Sequence, residues 1–318
     1  MEVFVRRTEK YMGTRELTPR FAQRNHMTPE QKEGTKNGRC IFSIDVEDWF
    51  HILDVPSAPE FSEWSELPSR VEKNFCRLLE IIRASDVRIT CFFLGWVADR
   101  FPHLVREAQA QGHEIASHGC RHELVYRMTP AQFLEDVSKA KKILEHVSGS
   151  AVWGYRSPGF SVIKDTPWFF EKLMEAGYRY DSSVFPGPRG HGGIKTEQFA
   201  PYRLRNGSNG LIEFPITVAG VLGRPVCFFG GGYLRLFPYW VVKHMAGKVI
   251  DEGRPVVFYV HPREIDTSHP RLSMSLARRF KSYVNLSTME GKIRRLLSDF
   301  SFITFQSAVA ENYFCLKD

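Results

Sequence analysis

Short apolar runs of strand length alternate with amphipathic segments of helix length from Cys40 onward. The first run, CIFSIDV, is rich in the β-branched and aromatic residues that favour strands. The next segment, SRVEKNFCRLLEIIRA, repeats apolar residues at helical spacing, and it opens with Ser69 three residues before Glu72, as in a capping box. This alternation predicts an α/β fold with a parallel sheet.

The same alternation continues toward the end of the chain. Further strands are predicted for RITCFFL, HEIAS and PVVFYV. The segment TPAQFLEDVSKAKKILE reads as a helix with Thr129 as its cap and Pro130 in its first turn, and the helix PHLVREAQAQ has Gly112 just past its end. Residues 1–38 are polar and lack apolar periodicity, so they are predicted to be an extension outside the domain that spans residues 39–318.

Polar side chains stand repeatedly at the ends of the predicted strands. Asp45 ends the first strand, His118 follows HEIAS, Asp181 follows the short run YRY, and His261 follows PVVFYV. A barrel of alternating strands and helices places its active site at the carboxyl ends of its strands. We therefore expect these four side chains to lie close together.

His118 and His122 lie four residues apart in SHGCRH, a spacing that puts two imidazoles on one face. With a distant carboxylate they would bind one divalent ion and leave a position open for water. The carboxylate is Glu47 or Asp48: Glu47 shares a strand face with Asp45, whereas Asp48 serves if the strand breaks there. The two-residue period of a β-strand favours Glu47. Cys120, between the histidines, is predicted to be structural.

Five motifs occur in the order SIDVED, HGCRH, RSPGF, YDSS and VHP. In this order they resemble the polysaccharide deacetylases with a NodB homology domain, carbohydrate esterase family 4. The branch that is most similar is found in exopolysaccharide gene clusters and is related to peptidoglycan deacetylases and allantoinase-like proteins. The resemblance covers about residues 40–315, and Gly119 departs from the usual Ser or Thr. It implies a distorted (β/α) barrel with a single catalytic domain.

The resemblance also implies roles for the motif residues. Asp45 would be the catalytic base, and Arg156 would orient it. His261 would be the general acid that protonates the leaving amine, its charged form favoured by Asp181. A backbone N–H near Gly159 would stabilise the oxyanion of the tetrahedral intermediate.

Substrate contacts are predicted for a few residues near these motifs. They are Gly159 and Phe160 of RSPGF, Trp49 after the acidic cluster, and Tyr233 after the triple glycine of FFGGGY. Aromatic side chains can stack on sugar rings, and a role in the core is the alternative for Trp49. The triple glycine would let backbone approach a sugar, or it is only a turn.

The predicted function is removal of N-acetyl groups from an N-acetylated sugar or polysaccharide, with water attacking the amide carbonyl. The cofactor is a divalent metal, for which zinc is favoured and cobalt, nickel or manganese also suit the ligands. Two alternatives stay open. One is hydrolysis of another C–N bond by an allantoinase-like or imidase-like enzyme, and the other is a non-catalytic carbohydrate-binding protein.

Composition limits the partners and the location. The net charge of +7 comes from basic residues scattered along the chain without an aromatic-interleaved motif, so no nucleic-acid partner is expected. A phosphate-bearing or anionic-carbohydrate partner fits the excess of basic residues as well as a nucleic acid does. Six cysteines without a CxxC pair indicate free thiols in a reducing compartment. We find no apolar stretch of signal-peptide or membrane-span length. A cytoplasmic location is predicted, and the oligomeric state stays open.

Overall fold

The computed structural model describes residues 40–187, 192–206 and 209–313. The predicted extension, residues 1–38, and Cys315 lie outside the described residues, so the domain boundary stays a prediction.

Parallel strands form the centre of the molecule, in the spatial order β10-β1-β2-β3-β4-β5-β7-β6, with β11 paired to the start of β1. Only the hairpin of β6 and β7 is antiparallel within this sheet. A separate two-stranded ribbon joins β8 to β9. The strands are β1 Cys40–Val46, β2 Thr90–Phe93, β3 Glu114–Ser117, β4 Gly154–Tyr155, β5 Tyr180–Asp181, β6 Tyr202–Asn206, β7 Asn209–Glu213, β8 Ala219–Val221, β9 Arg224–Val226, β10 Val257–Val260 and β11 Phe302–Ile303.

The eight-strand path curls into a half-barrel, and its end strands, β10 and β6, do not pair with each other among the described residues. This open, curled sheet confirms the predicted α/β fold of the distorted-barrel type. The parallel strands β1, β2 and β3 follow one another in space as well as in sequence, and helices connect them. Their carboxyl ends therefore meet at one edge of the sheet.

Ten helices lie in the described ranges, and several short 3-10 turns accompany them. The helices are α1 Val71–Arg83, α2 Gly95–Arg100, α3 Pro102–Ala110, α4 Pro130–Ser148, α5 Phe169–Glu175, α6 Gly231–Leu236, α7 Tyr239–Asp251, α8 Leu276–Tyr283, α9 Met289–Asp299 and α10 Phe305–Ala310. None of these helices combines the length and the apolarity that crossing a membrane requires.

The start of α4 agrees with its predicted cap, whereas the start of α1 does not. The backbone N–H of Gln132 donates to Thr129 Oγ1, and Pro130 occupies the first turn. The predicted capping box of Ser69 and Glu72 is wrong, because Ser69 Oγ donates to the carboxylate of Asp48 instead. The carboxylate of Asp48, from the turn after β1, therefore caps the first turn of α1 in place of Ser69.

Alternation along β1 divides its side chains between two apolar clusters. Phe42, Ile44 and Val46 pack in the larger cluster on the outer face of the sheet, whereas Ile41 packs inside the half-barrel. The inner cluster is closed by the ring of Phe305 from α10, which lies 5.7 Å from that of Phe92. Since successive strand residues point to opposite faces, residues 43 and 45 share the inner face with residue 41. The interior is therefore apolar at its base and polar toward the carboxyl ends of the strands.

Candidate active site

Glu47, His118 and His122 bring three metal-ligand atoms together just past the carboxyl ends of β1 and β3. One carboxylate oxygen, Glu47 Oε1, lies 3.0 Å from His118 Nε2 and 2.8 Å from His122 Nε2. All three ligand atoms lie within 4.8 Å of one another, and all three residues are buried. The predicted histidine pair therefore does converge with a carboxylate.

Hydrogen bonding fixes the orientation of His118. Its Nδ1 lies 2.7 Å from the backbone carbonyl oxygen of Arg156, and a carbonyl can only accept, so Nδ1 carries the proton. When Nε2 carries no proton, its lone pair points toward Glu47. A lone pair and a carboxylate oxygen 3.0 Å apart repel each other unless a positive charge lies between them. The donor set therefore fits a divalent cation.

The pKa shifts of Glu47 and His122 also suit a cation. Burial works to raise the pKa of Glu47, but the imidazoles of His122, His261 and His118 outweigh it and hold that pKa well below its usual range. Burial lowers the pKa of His122, which favours a neutral ring. An ionised carboxylate with neutral imidazoles is the protonation state that metal binding requires.

Asp48, the other predicted candidate for the carboxylate ligand, has a different role. Its side chain accepts hydrogen bonds from the backbone N–H groups of Trp49, Arg70 and Val71, and from the hydroxyl of Ser69. The carboxylate thus caps both the turn that follows β1 and the first turn of α1. Of the two acids, the structure groups Glu47 with the histidines and not Asp48.

Replacing Asp48 by alanine should lower the free energy of unfolding by about 1–2 kcal/mol, the usual cost of a lost helix cap. Zinc affinity should stay close to that of the wild type, because no ligand atom is removed. Urea denaturation and a zinc titration on the same sample measure the two effects. Weakened zinc binding together with unchanged stability would return Asp48 to the ligand set.

Asp45 lies beside the metal-ligand cluster and forms a buried ion pair with Arg156. Arg156 Nη1 donates to Asp45 Oδ1 at 2.7 Å and to Ser43 Oγ at 2.8 Å. The guanidinium is fully buried and lies 4.2 Å from the centre of the Phe92 ring, where a cation–π contact compensates part of its lost hydration. One oxygen of Asp45 is thereby held, and the other, Oδ2, faces His261.

His261 follows β10 and lies opposite Asp45 across the same space. Its Nε2 is 3.8 Å from both Asp45 Oδ2 and Glu47 Oε1, and its Nδ1 is 3.5 Å from Glu264 Oε1. Burial works to lower the pKa of His261, but the carboxylates of Glu47 and Glu264 outweigh it and raise that pKa. The charged imidazole is therefore favoured.

Asp181 does not form the expected pair with His261 among the described residues. It lies opposite Glu213 in the register of β5 and β7, and Ser183 Oγ donates to its Oδ1 at 2.5 Å. Burial raises the pKa of Asp181 to about 6, and burial together with Asp181 raises the pKa of Glu213 well above its usual range. Asp181 is thus engaged with Ser183 and Glu213, and the carboxylate beside His261 Nδ1 is that of Glu264.

Two of the predicted substrate contacts are buried. Trp49 is only 7% exposed and donates from Nε1 to the carbonyl of Pro68. Phe160 is also buried and packs against the ring of Tyr259 at 4.9 Å. Neither side chain is free to stack on a sugar. Gly159 and Tyr233 are partly exposed, so their predicted roles stay open.

Three residues of the site escaped the sequence analysis: Ser43, Glu213 and Glu264. Ser43 lies two residues before Asp45, on the same strand face. Glu264 follows His261 by three residues, in HPRE, and this spacing could have been used to find it. Glu213 carries no local signal, because only the register of two strands brings it to Asp181. Cys120, as predicted, is no part of the cluster.

Two family profiles match the chain side by side. Residues 66–180 match the family described as polysaccharide deacetylase, and residues 182–310 match a domain of unknown function, DUF3473. His118, His122 and Arg156 fall in the first match, and His261 and Glu264 fall in the second. The candidate site is thus built from both matched regions.

Named relatives are similar to part of the chain. The peptidoglycan deacetylase of Helicobacter pylori is 26% identical over 133 residues, which are 42% of this chain and 41% of that protein. The chitooligosaccharide deacetylase of Azorhizobium caulinodans is 31% identical over 80 residues, which are 25% of this chain and 38% of that protein. The chain therefore spans less than half the length of these relatives.

Solved structures share the fold at low sequence identity. A candidate polysaccharide deacetylase from Mycobacterium smegmatis superimposes with a TM-score of 0.60 at 21% identity, covering 95% of this chain and 97% of that one. The allantoinase Puue gives a TM-score of 0.56 at 20% identity, covering 85% of this chain and 88% of that one. At such identities the similarity shows the fold alone.

Proposed function

We propose that this chain, whose residues 66–180 match the polysaccharide deacetylase family, is a metal-dependent hydrolase that removes N-acetyl groups from an N-acetylated sugar or polysaccharide. One observation carries the proposal. The ligand atoms of Glu47, His118 and His122 converge, with Asp45 on one side and His261 on the other. Amide hydrolysis needs an electrophile, a base and an acid around one carbon atom, and these residues supply each part.

Asp45 is the proposed base. Its Oδ1 accepts a hydrogen bond from Arg156 Nη1, and this contact fixes the plane of the carboxylate. Its Oδ2 is directed toward the space beside Glu47 and can accept a proton from an attacking water there. A bound divalent cation would acidify that water and polarise the amide carbonyl.

His261 is the proposed acid. An amine leaves poorly as an anion, so the nitrogen must gain a proton as the C–N bond breaks. His261 Nε2 faces the same space as Asp45 Oδ2, at 3.8 Å, and the neighbouring carboxylates favour the protonated ring. The base and the acid therefore both border the space beside Glu47.

Zinc is the proposed metal, because two imidazole nitrogens and one carboxylate oxygen are the donors of catalytic zinc sites. Cobalt, nickel and manganese can occupy the same donors. The relatives named for peptidoglycan and chitooligosaccharides support a glycan substrate that carries N-acetylglucosamine. The positive net charge would favour an anionic polymer. The cytoplasmic location stays a prediction.

The test is acetate release from peptidoglycan and from chitooligosaccharides, measured with and without a chelator, alongside ring opening of allantoin. We expect acetate to be released, the activity to be lost with the chelator, and added zinc to restore it. Ring opening without acetate release would instead assign the allantoinase-like activity. A protein that binds these glycans but turns over none of them would support the non-catalytic alternative.

A further inference from the structure

The triple glycine of FFGGGY is shaped by two side chains of the β10 region. A Cβ atom on Gly230 would lie 2.1 Å from Cζ of Tyr259, and one on Gly231 would lie 1.6 Å from Oε2 of Glu264. On Gly232, the nearest atom would be Nη2 of Arg235 at 3.6 Å, an ordinary contact. The first two glycines therefore make room for buried side chains, and the third has no such constraint.

Glu264 occupies the space that Gly231 leaves. It is 2% exposed, and its Oε2 accepts a hydrogen bond from the backbone N–H of His261 at 3.2 Å. Its Oε1 lies 3.8 Å from Nη2 of Arg235. Burial works to raise the pKa of Glu264, but Arg235 and His261 outweigh it and keep that pKa below its usual range. The carboxylate is therefore ionised inside the protein.

Arg235 is itself held in place. Its guanidinium donates to the carbonyl oxygens of Ser282, at 2.7 Å, and Lys281, at 3.0 Å. A buried carboxylate with a fixed cation behind it has little freedom to rotate. Glu264 can thus act as a rigid support for a neighbouring group.

That neighbouring group is the imidazole of His261. Glu264 Oε1 lies 3.5 Å from Nδ1, which is longer than an ordinary hydrogen bond, so the contact is an electrostatic one in the ligand-free site. The two ring nitrogens lie on different sides of the imidazole. With Nδ1 beside Glu264, Nε2 faces Asp45 and Glu47. Asp181, engaged with Ser183 and Glu213, does not provide this contact.

We propose that Glu264 is the positioning residue of His261, and that Gly231 is required because only glycine leaves space for the Glu264 carboxylate. This inference rests on the proposed function for the role it gives His261. As the C–N bond breaks, its electron pair goes to nitrogen, which takes the Nε2 proton, and the imidazolium becomes neutral. The Nδ1 proton stays beside Glu264, which keeps Nε2 as the nitrogen that donates.

The activity test compares Glu264→Gln, which keeps the shape and removes the charge, with Gly231→Ala and Gly247→Ala. Glu264→Gln should lower kcat about 10- to 100-fold, less than the loss of a general acid itself, with KM and zinc content unchanged. Gly231→Ala should reproduce the fall in kcat, because its Cβ displaces the carboxylate. Gly247→Ala, a glycine of α7 whose added Cβ would meet nothing within 4 Å, should retain the wild-type rate. A wild-type kcat in Glu264→Gln would overturn the proposal.

A second readout does not depend on turnover. In ¹⁵N-labelled protein at a pH where the His261 ring is neutral, the ring nitrogen shifts should show the proton on Nδ1 beside the carboxylate, and this shift pattern should be lost in Glu264→Gln and in Gly231→Ala. It should persist in Asp181→Asn. If no glycan is deacetylated, this spectrum still tests the pair, so the two proposals can fail separately. A shift that disappears in Asp181→Asn and survives in Glu264→Gln would assign the support to Asp181.

Discussion

Replacing Asp45 by asparagine is expected to lower kcat for acetate release by about 10²- to 10⁴-fold, the range of a lost general base. Asparagine keeps the shape and can still accept from Arg156 Nη1 through its amide oxygen. It cannot accept a proton from water near neutral pH. Acetate release under saturating substrate measures kcat, and zinc content should match the wild type, because Asp45 is outside the three-residue ligand set.

The same substitution leaves the buried charge of Arg156 without its counter-ion, which commonly costs about 3–5 kcal/mol in stability. Activity should therefore be measured well below the melting temperature of the variant. Ser43→Ala is the matched control, since it removes the other acceptor of Arg156 Nη1 and leaves the base intact. We expect Ser43→Ala to retain far more activity than Asp45→Asn. Equal losses would mean that Asp45 acts only by holding Arg156.

Replacing His122 by asparagine is expected to weaken zinc binding by more than about 100-fold and to abolish turnover. This loss exceeds the usual effect of removing a residue that only hydrogen-bonds to a metal ligand. His122 is the better of the two histidines to change, because His118 also donates to the carbonyl of Arg156. Asparagine is chosen because His122 has a φ of 55°, in the left-handed region that asparagine tolerates. Competition with a chromophoric chelator measures the affinity.

His103→Asn provides the matched control for His122→Asn. His103 lies on α3 with a half-exposed side chain and pairs with Glu72, away from the metal-ligand cluster. Its replacement should leave zinc affinity and turnover unchanged. Wild-type zinc affinity in His122→Asn, with a native circular dichroism spectrum, would remove His122 from the ligand set and with it the proposed metal centre.

Much of the site was predictable because strand periodicity is local. The two-residue repeat of CIFSIDVE puts Asp45 and Glu47 on one face, and the structure has Glu47 beside the histidines. The spacing of His118 and His122 predicted that the rings would meet, but the two residues lie on a loop that a distant residue holds in place. The side chain of Asp136 accepts hydrogen bonds from the backbone N–H groups within this loop. Polar residues at the ends of parallel strands meet at one edge of any such sheet.

The sequence by itself determined the alternating α/β architecture and the strand ends that carry the polar residues, since each follows from spacing along one segment. It left the carboxylate partner of the two histidines open between Glu47 and Asp48. Only the tertiary structure decided what each remaining acid does. Asp48 caps a helix that begins beyond a long turn, Asp181 meets Glu213 through strand register, and Glu264 fits against a glycine from another helix. The physical reason is that a carboxylate accepts hydrogen bonds from whichever donors the packing places beside it, and the spacing of residues along the chain does not identify those donors.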